Sequence, residues 1–374
     1  MSDQEQKPWY EILNIDQLDS PAFVIYLERV KENIAQAIKM VGDVQRLRPH
    51  VKTHKSTDVT RLMLDAGITK FKCATIAEAE MLGVVGAPDV LLAYQPVGPK
   101  VNRFLDLINR YSTTRFSCLV DNLDAARSLS RIAIERKLNL AVYIDLNVGM
   151  NRTGLLPGEE AITLFQAVAK LEGINPIGLH AYDGHIGEPD LELRTKKCSE
   201  AFSPVRTVKK VLADKGHRDL VIVAGGSPTF PIHAKNGEVE CSPGTFVYWD
   251  YGYQKAFPEQ PFQPAALVVS RIISLPGGDL LCADLGHKAV AAENPLDRRV
   301  RFVNAPELAF VGQSEEHLVL RNIGPDRFAI GDVLYGMPMH VCPTCALYER
   351  AYVVENGRVK QEWKTIARDR KINL

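Results

Sequence analysis

The chain has 374 residues, of which 46% are hydrophobic and 24% charged, and its formal net charge at pH 7 is +0. This is the composition of an ordinary globular protein, and the absence of a basic excess argues against nucleic acid or an anionic membrane surface as the partner. No apolar run reaches the roughly 18 residues that cross a bilayer, and the polar, acidic start of the chain is unlike a signal peptide, so we expect a cytoplasmic protein.

Short apolar runs alternate with helical patterns between residues 45 and 250. The predicted strands span 44–51, 70–75, 90–95, 116–120, 140–146, 177–182, 220–224 and 245–249. The predicted helices include 76–85, 100–111, 122–136, 158–171 and 192–215. This alternation predicts an α/β fold, a (β/α)8 TIM-type barrel. A doubly wound sheet is the competing interpretation, but the first turn lacks the Gly-x-Gly-x-x-Gly pattern of a dinucleotide fold.

The pattern changes after residue 256, where Pro258, Pro261 and Pro264 mark a linker. Predicted strands follow at 266–274, 279–284, 307–312, 327–334 and 351–355, and Asn356-Gly357 predicts a hairpin turn. We therefore predict a barrel in residues 30–255 and a β-rich domain in residues 256–374. The seven cysteines are odd in number and mostly stand singly in apolar segments, so we expect buried thiols and not a disulfide framework.

The run RPHVKTHK at residues 48–55 ends the first predicted strand. Side chains two apart on a strand share a face, so Arg48, His50, Lys52 and His54 are expected to point the same way. Burial and neighbouring cations favour a neutral amine, which is the nucleophile that a Schiff-base lysine needs. The alternative is a solvated basic face.

Two loops after the seventh and eighth predicted strands carry glycines and hydroxyl groups. Their candidate cofactor-binding residues are Gly225, Gly226, Ser227, Thr229, Gly244 and Thr245. Glycine lets backbone N–H groups approach an anion, and this position in a barrel favours phosphate. A phosphate site together with a nucleophilic lysine indicates pyridoxal 5′-phosphate, with Tyr182 as the candidate partner of the ring nitrogen and His50 and Arg152 as further cofactor-binding candidates. Simple glycine turns are the alternative.

The motif His340-Val341-Cys342-Pro343-Thr344-Cys345 is the second candidate site. On an extended segment, His340 and Cys342 would lie on one face. Imidazole and thiolate together suit Zn²⁺ best among the common metals. A redox pair of Cys342 and Cys345, or a buried histidine with inert thiols, are the alternatives.

These motifs resemble the D-threonine aldolase and D-serine dehydratase group, which are pyridoxal-phosphate enzymes of the alanine-racemase fold (fold type III). The resemblance rests on residues 48–55, the Gly-Gly-x-x-Thr loop and the His-x-Cys-Pro-Thr motif, and the segments 18–22 and 353–357 extend it over nearly the whole chain. It implies that the strand at 22–27, within an N-terminal region 1–29, joins the β domain. It further implies that Lys52 is the Schiff-base lysine and that His340 and Cys342 bind a divalent metal next to the substrate's 3-hydroxyl. Members of this fold are commonly homodimers.

Two departures from the group bear on the type of reaction. Dehydratases tend to have cysteine at the second metal position, as Cys342 here, whereas aldolases often have aspartate. The surroundings of Tyr182 and Trp249 are more similar to the aldolases, but many of those have histidine where this chain has Asp183, with His185 two residues later.

The sequence and the resemblance together predict a pyridoxal-phosphate- and metal-dependent lyase that acts on small 3-hydroxy D-amino acids. The preferred reaction is retro-aldol cleavage to glycine and an aldehyde, and the alternative is elimination of the D-serine dehydratase type. A racemase and a non-catalytic pyridoxal-phosphate carrier are the remaining alternatives. Lys52, His54 and His185 are the catalytic candidates, and Zn²⁺ is the expected ion, with Mn²⁺ or Mg²⁺ as alternatives.

Overall fold

The computed structural model describes residues 7–374, so residues 1–6 of the predicted N-terminal region lie outside it. The strands are β1 Ala22–Tyr26, β2 Lys70–Cys73, β3 Asp89–Leu92, β4 Arg115–Val120, β5 Leu140–Leu146, β6 Ile174–Ala181, β7 Val221–Ala224, β8 Glu240–Cys241, β9 Ala266–Gly277, β10 Leu280–Ala283, β11 Val300–Phe302, β12 Leu308–Gln313, β13 Leu318–Asn322, β14 Val333–Pro338, β15 Arg350–Glu355 and β16 Arg358–Lys364. The helices are α1 Leu27–Val41, α2 Thr57–Asp65, α3 Ile76–Val84, α4 Pro99–Arg110, α5 Leu123–Glu135, α6 Glu159–Val168, α7 Leu191–Asp214, α8 Phe230–Asn236, α9 Tyr251–Ala256 and α10 Val341–Leu347.

The chain divides into two compact units. The barrel unit comprises residues 35–244 and 369–374, and the β unit comprises the residues up to Ile34 together with 245–368. The domain boundaries that we predicted at residues 30 and 256 refer to regions that fold separately, and they remain a prediction. Among residues 7–374, no helix has both the length and the apolarity needed to cross a membrane.

Seven parallel strands, β2 to β8, pair in chain order in the barrel unit. Leu47 bridges Cys241 and His50 bridges Lys72, so the segment 47–50 connects the last strand to the first. Helices alternate with the strands and begin at capping side chains. Thr75 accepts the N–H of Glu78 at the start of α3, for example. The TIM-type barrel predicted from the sequence is confirmed.

The first and last predicted barrel strands are wrong in detail. Residues 44–46 form a short 3₁₀ helix capped by Asp43, and residues 51–54 form a turn, so 44–51 is not a strand. The eighth strand lies at 240–241, and residues 245–247 form another 3₁₀ helix. Because period-two geometry does not hold through residues 44–54, the expected common strand face for Arg48, His50, Lys52 and His54 does not exist.

The β unit is built on a nine-stranded, mostly antiparallel sheet. Strand β1 pairs in parallel with β15 and antiparallel with β9, so the N-terminal strand joins this sheet as the resemblance implies. Asn356 and Gly357, with φ of 51° and 70°, turn β15 into β16, which confirms the hairpin. The strand predicted at 327–334 is misplaced, because β14 begins only at Val333.

Candidate active site

Lys52 lines a pocket of about 440 Å³ at the carboxyl ends of the barrel strands. The other lining residues are His50, Lys72, Ala74, Thr75, Ala93, Tyr94, Gln95, Arg152, Thr153, His180, Tyr182 and Arg370. The ring of Tyr182 has Lys52 Nζ 5.8 Å and Arg152 Cζ 5.0 Å from its centroid. The structure therefore brings together Lys52, His50, Arg152 and Tyr182, four of the residues predicted from the sequence.

His50 holds the turn that carries Lys52. Its Nδ1 accepts the backbone N–H of Lys52 at 3.2 Å. Burial first, and the nearby lysines second, lower the pKa of His50 well below its ordinary value. The imidazole is therefore neutral and acts here as a hydrogen-bond acceptor.

Lys72, at the end of β2, is a second lysine of the pocket and was missed by the sequence reasoning. Its side chain is buried, and Nζ lies 2.6 Å from Ser242 Oγ. Burial, followed by the charge of Lys52, lowers the pKa of Lys72 to about 7. A lysine inside the apolar run Phe71-Lys72-Cys73 is the sequence signal that would have found it.

His180 and Asp145 form a buried pair on neighbouring strands β6 and β5, with Nδ1 of the histidine 2.7 Å from a carboxylate oxygen. Burial raises the pKa of Asp145, but hydrogen bonds from His180, Thr153 and Gln95 outweigh it and lower that pKa overall. Burial lowers the pKa of His180. The carboxylate thus fixes the tautomer with the proton on Nδ1, and within residues 7–374 the buried Nε2 has no hydrogen-bond partner.

The two glycine loops predicted to bind phosphate lie against each other. The N–H of Gly244 donates to Ser227 Oγ at 3.3 Å, and Ser242 Oγ bonds to the carbonyl of Gly225 at 3.1 Å. A Cβ atom at Gly244 would stand 3.0 Å from the carbonyl oxygen of His50. These contacts place the loops beside the segment that carries Lys52, with no room for a larger side chain at 244.

Asp183 holds the loop at residues 225–229 in place. One carboxylate oxygen accepts from Thr229 Oγ1 at 2.8 Å and the other lies 2.8 Å from His233 Nε2. The same hydroxyl of Thr229 accepts the N–H of Gly226 at 3.3 Å. The hydroxyl of Thr229, which we predicted to contact the cofactor, therefore donates to Asp183 and accepts from the backbone of its own loop.

Cys198 completes this buried cluster, with its sulfur 3.5 Å from His233 Nε2 and 3.8 Å from Asp183. An imidazole, a thiol and a carboxylate this close are also the ligand types of a metal site. Burial and the charge of Asp183 raise the pKa of the Cys198 thiol to about 12. The 2.8 Å contact between Asp183 and His233 is a hydrogen bond, so the cluster is a hydrogen-bonded support.

Neither of the two histidines predicted as bases lines the pocket. His54 is buried, its Nδ1 accepts the N–H of Ser56 at 3.1 Å, and burial lowers its pKa to about 3. His185 is exposed, and its ring covers Gly149, where a Cβ atom would stand 2.5 Å from Nε2. Their catalytic roles stay predictions.

Arg48 lies away from the pocket. Its guanidinium is 1% exposed and pairs with Glu240 at 2.6 Å and with Asp89 at 2.5 Å. Both carboxylates belong to residues at the amino ends of barrel strands. Arg48 therefore lies at the end of the barrel opposite to Lys52.

In the β unit, His340 occupies the N-cap position of α10 and Cys342 lies in the first turn of that helix, so the motif is not on the extended segment that we expected. His340 Nδ1 lies 2.7 Å from the carboxylate of Glu293. Burial lowers the pKa of His340, but hydrogen bonding and charge from Cys342, with Asp250 and Glu293, raise it overall to about 9. Thr245, predicted to bind the cofactor, has its Oγ1 3.5 Å from Cys342 Sγ. Within residues 7–374, which include all seven cysteines, none forms a disulfide; Cys342 is partly exposed and the other six are buried.

Comparison with known proteins covers both units. Residues 25–252 match the family "Alanine racemase, N-terminal domain", and residues 265–354 match a "Putative serine dehydratase domain". The chain is 27% identical to the D-threonine aldolase of an Arthrobacter species over 94% of this chain and 93% of that one. It is 24% identical to the D-threo-3-hydroxyaspartate dehydratase of Delftia sp. (strain HT23), over 93% and 97%.

A solved structure agrees with these matches. The crystal structure of D-threonine aldolase from Filomicrobium marinum superposes with a TM-score of 0.86 at 25% identity, over 96% of this chain and 98% of that one. The family match alone spans more than half of the sequence. The chain therefore belongs to the alanine racemase N-terminal domain family, within its D-threonine aldolase and D-serine dehydratase group of pyridoxal-phosphate enzymes.

Proposed function

We propose that this protein is a pyridoxal-phosphate-dependent lyase that cleaves 3-hydroxy D-amino acids between Cα and Cβ, giving glycine and an aldehyde. The observation that carries the proposal is Lys52 in the barrel pocket, with His180, Tyr182 and Arg152 around it. The cofactor, when bound, would supply an electron sink for the pair released at the substrate's Cα. The likeness to the Arthrobacter and Filomicrobium aldolases supports cleavage as the reaction.

The residues of the pocket fit this cofactor. Lys52 would hold its aldehyde carbon, and the glycine loops at 225–229 and 242–244 would hold its phosphate, with the Ser227 hydroxyl as one donor. The buried Nε2 of His180 is an acceptor for a donor on a bound ligand, since Asp145 occupies the other ring nitrogen. Arg152, His50 and Tyr182 would complete the site around the ring.

Cleavage requires a base for the 3-hydroxyl proton and an acid that returns a proton to Cα. Lys72 has a pKa near neutrality, so at pH 7 it is able both to accept and to return a proton. His180 and His50 are neutral because they are buried, and they orient other groups. His54 and His185 remain proposed bases, although the described pocket lining does not include them.

His340 and Cys342 would hold a divalent ion, Zn²⁺ first. The donor set suits zinc, and the carboxylate of Glu293 on Nδ1 of His340 is the kind of contact that orients a metal-binding imidazole and leaves Nε2 for the ion. The ion would lower the pKa of a bound hydroxyl or stabilise it as a leaving group. Mn²⁺ and Mg²⁺ are the alternatives to test.

Elimination is the second candidate function, favoured by the thiol at position 342 and by the likeness to the Delftia dehydratase. In this reaction Lys52 would remove the Cα proton while the 3-hydroxyl leaves as water. Hydrolysis then gives ammonia and a 2-oxo acid. The same residues thus serve either reaction, and product analysis separates them.

The test is to incubate the purified protein with D-threonine, pyridoxal phosphate and Zn²⁺ or Mn²⁺. Acetaldehyde and glycine in equal amounts support the proposal, whereas ammonia and 2-oxobutyrate support elimination. Interconversion of D- and L-isomers that persists with a chelator indicates a racemase, and the absence of turnover indicates a carrier. Lys52→Ala should abolish the visible absorption of the bound cofactor, while Lys210→Ala, on the exposed face of α7, should keep it.

The metal assignment has its own test. Cys342→Ala should lower bound zinc, measured by elemental analysis, whereas Cys345→Ala in the same helix should not. Zinc lost from both variants would make Cys345 a ligand as well. We further propose that the protein works as a homodimer in the cytoplasm, which light scattering and cell fractionation would test.

A further inference from the structure

The two cysteines of the motif at residues 340–345 lie in a crossover connection of the β unit. Helix α10 begins at Val341, after β14 has ended at Pro338, and β15 follows the helix from Arg350. Strand β14 is antiparallel to β9, β9 is antiparallel to β1, and β1 is parallel to β15. The strands β14 and β15 therefore run in the same direction within one sheet, and α10 joins them. A Cys-x-x-Cys pair near such a strand–helix–strand unit is typical of thiol–disulfide chemistry.

Cys342 and Cys345 differ in their access to solvent. The side chain of Cys342 is partly exposed, whereas Cys345 is buried, with 1% of its surface exposed. An accessible cysteine beside a second one that resolves its oxidised form is the arrangement found in redox-sensing pairs. The exposure of the two side chains thus assigns the first contact with an oxidant to Cys342 and the second step to Cys345.

The spacing of the two cysteines permits a disulfide bond. In a helix, Cα atoms three residues apart are about 5 Å from each other, which lies within the range of roughly 4.4–6.8 Å that disulfides span. The corresponding Cβ atoms are about 5–6 Å apart in a regular helix and need to approach to about 4 Å. This closure of about 1–2 Å concerns the first turn of α10, so the strands of the sheet are able to keep their places.

We propose that Cys342 and Cys345 form a reversible disulfide bond, and that this bond controls metal binding at His340 and Cys342. The control of the metal rests on the proposed function, whereas the disulfide itself does not. A second motif residue, Thr344, holds the turn between the cysteines, because its hydroxyl donates to the carbonyl of His340 at 2.9 Å and accepts the N–H of Ala291 at 3.1 Å.

The oxidant is a low-molecular-weight disulfide such as oxidised glutathione. The Cys342 thiolate attacks one sulfur of this molecule, so that a mixed disulfide forms and one small thiolate leaves. The Cys345 thiol then loses its proton, its sulfur attacks the sulfur of Cys342, and the second small thiolate leaves. The protons of the two cysteines pass to the two released thiolates. The protein thus loses two electrons, and the small disulfide gains them.

The disulfide removes a donor from the proposed metal site. Zn²⁺ is bound by the thiolate form of cysteine, and a sulfur atom in a disulfide has no negative charge. Of the two proposed ligands, only His340 would remain, so the ion would be released. Disulfides of cytoplasmic proteins are usually transient and regulatory, and reduction by a thiol would restore the site.

The test for the disulfide uses the purified protein after removal of metal with a chelator. The protein is treated with oxidised glutathione and alkylated under denaturing conditions. Trypsin cuts after Arg327 and Arg350, so the peptide 328–350 carries both cysteines of the motif and no other cysteine. Mass spectrometry should find this peptide two hydrogen atoms lighter than its reduced form, and dithiothreitol should reverse the change.

Single substitutions assign the two steps. In Cys345→Ala, the glutathione adduct at Cys342 should accumulate, because the resolving thiol is missing. In Cys342→Ala, Cys345 should stay unmodified, because it is buried. Cys282→Ala, which removes a buried thiol from β10, is the control and should form the disulfide like the wild type. A wild-type peptide that stays reduced, or that stops at the glutathione adduct, would overturn the proposal.

Zinc binding separates the disulfide from the metal site. The reduced protein should retain Zn²⁺ after dialysis, measured by elemental analysis, and the oxidised protein should lose it and regain it after reduction. Equal zinc on the oxidised and reduced proteins would overturn the control of the metal. A disulfide in a protein that binds no zinc in either state would support the redox pair and refute the proposed metal site. Zinc on the reduced protein, with no disulfide under oxidation, would refute the redox pair and leave the metal site standing.

Discussion

The Nζ atom of Lys72 lies 2.6 Å from the Oγ atom of Ser242, which joins the end of β2 to the loop that follows β8. Both side chains are buried. This contact places a second amine in the pocket of Lys52, beside a loop proposed to bind phosphate. The Lys72 amine is thus held by a hydroxyl, and no carboxylate of the described residues contacts it directly. Burial therefore has the largest effect on its pKa.

The stability of the cofactor-free protein should depend on the protonation of Lys72. Because its folded pKa of about 7 lies below its ordinary value of 10.5, the unfolded chain binds more protons between these pH values, and folding becomes more favourable as pH rises. Relative to Lys72→Met, the free energy of unfolding of the wild type should rise by about 1.4 kcal/mol per pH unit between about pH 7 and pH 10. Urea unfolding across this range measures it. Parallel curves for the two proteins would contradict the assignment, and Lys210→Met is the control.

Asp145→Asn should weaken cofactor binding. The carboxylate fixes the proton on Nδ1 of His180, so an amide leaves the ring free to present the wrong nitrogen to the ligand. We expect the Kd for pyridoxal phosphate, measured by absorbance titration, to rise about tenfold, the value of one charged hydrogen bond. Asp124→Asn, on the exposed face of α5, should bind like the wild type. An unchanged Kd in Asp145→Asn would show that His180 does not contact the cofactor.

Asp183→Asn should act through the phosphate group of the cofactor. The carboxylate holds Thr229, which in turn holds the N–H of Gly226. Loosening this loop should raise the Kd for pyridoxal phosphate about tenfold and leave binding of pyridoxal, which has no phosphate, nearly unchanged. Titrations with both compounds decide. An equal loss for the two would mean that Asp183 supports the whole pocket and not this loop.

Arg48→Met should destabilise the barrel without changing the chemistry of the pocket. The substitution leaves the carboxylates of Glu240 and Asp89 without their buried cation. Breaking a buried ion pair from one side costs about 3–5 kcal/mol, which urea denaturation of the holoenzyme would measure. The cofactor absorption of the folded fraction should keep its wild-type position. A loss below about 1 kcal/mol would mean that water reaches these carboxylates.

The sequence predicted the fold well where the signals are local. The interval 140–146 is a strand with those limits, and α3, α4 and α5 begin and end within two residues of their predicted positions. Capping residues, a period of two or 3.6 and a hairpin turn at Asn356-Gly357 depend on neighbouring residues. The prediction of a strand at 44–51 failed because its apolar alternation is also compatible with a 3₁₀ turn followed by two isolated bridges. Those bridges depend on distant strands.

The features of the candidate site also fall into two groups, those that the sequence predicted and those that depend on contacts between distant segments. Lys52, Arg152, Tyr182 and the two glycine loops were found from the sequence, because a barrel fixes where strand ends meet and glycine marks where a backbone must approach a ligand. By contrast, Lys72 and Ser242 are 170 positions apart, and the bond from Arg103 to Leu374 spans 271 positions. The support of Thr229 by Asp183, the tautomer of His180 and the position of Arg370 depend on such contacts. Only the folded chain decides them, because burial and pairing between distant segments leave no periodic pattern in the sequence.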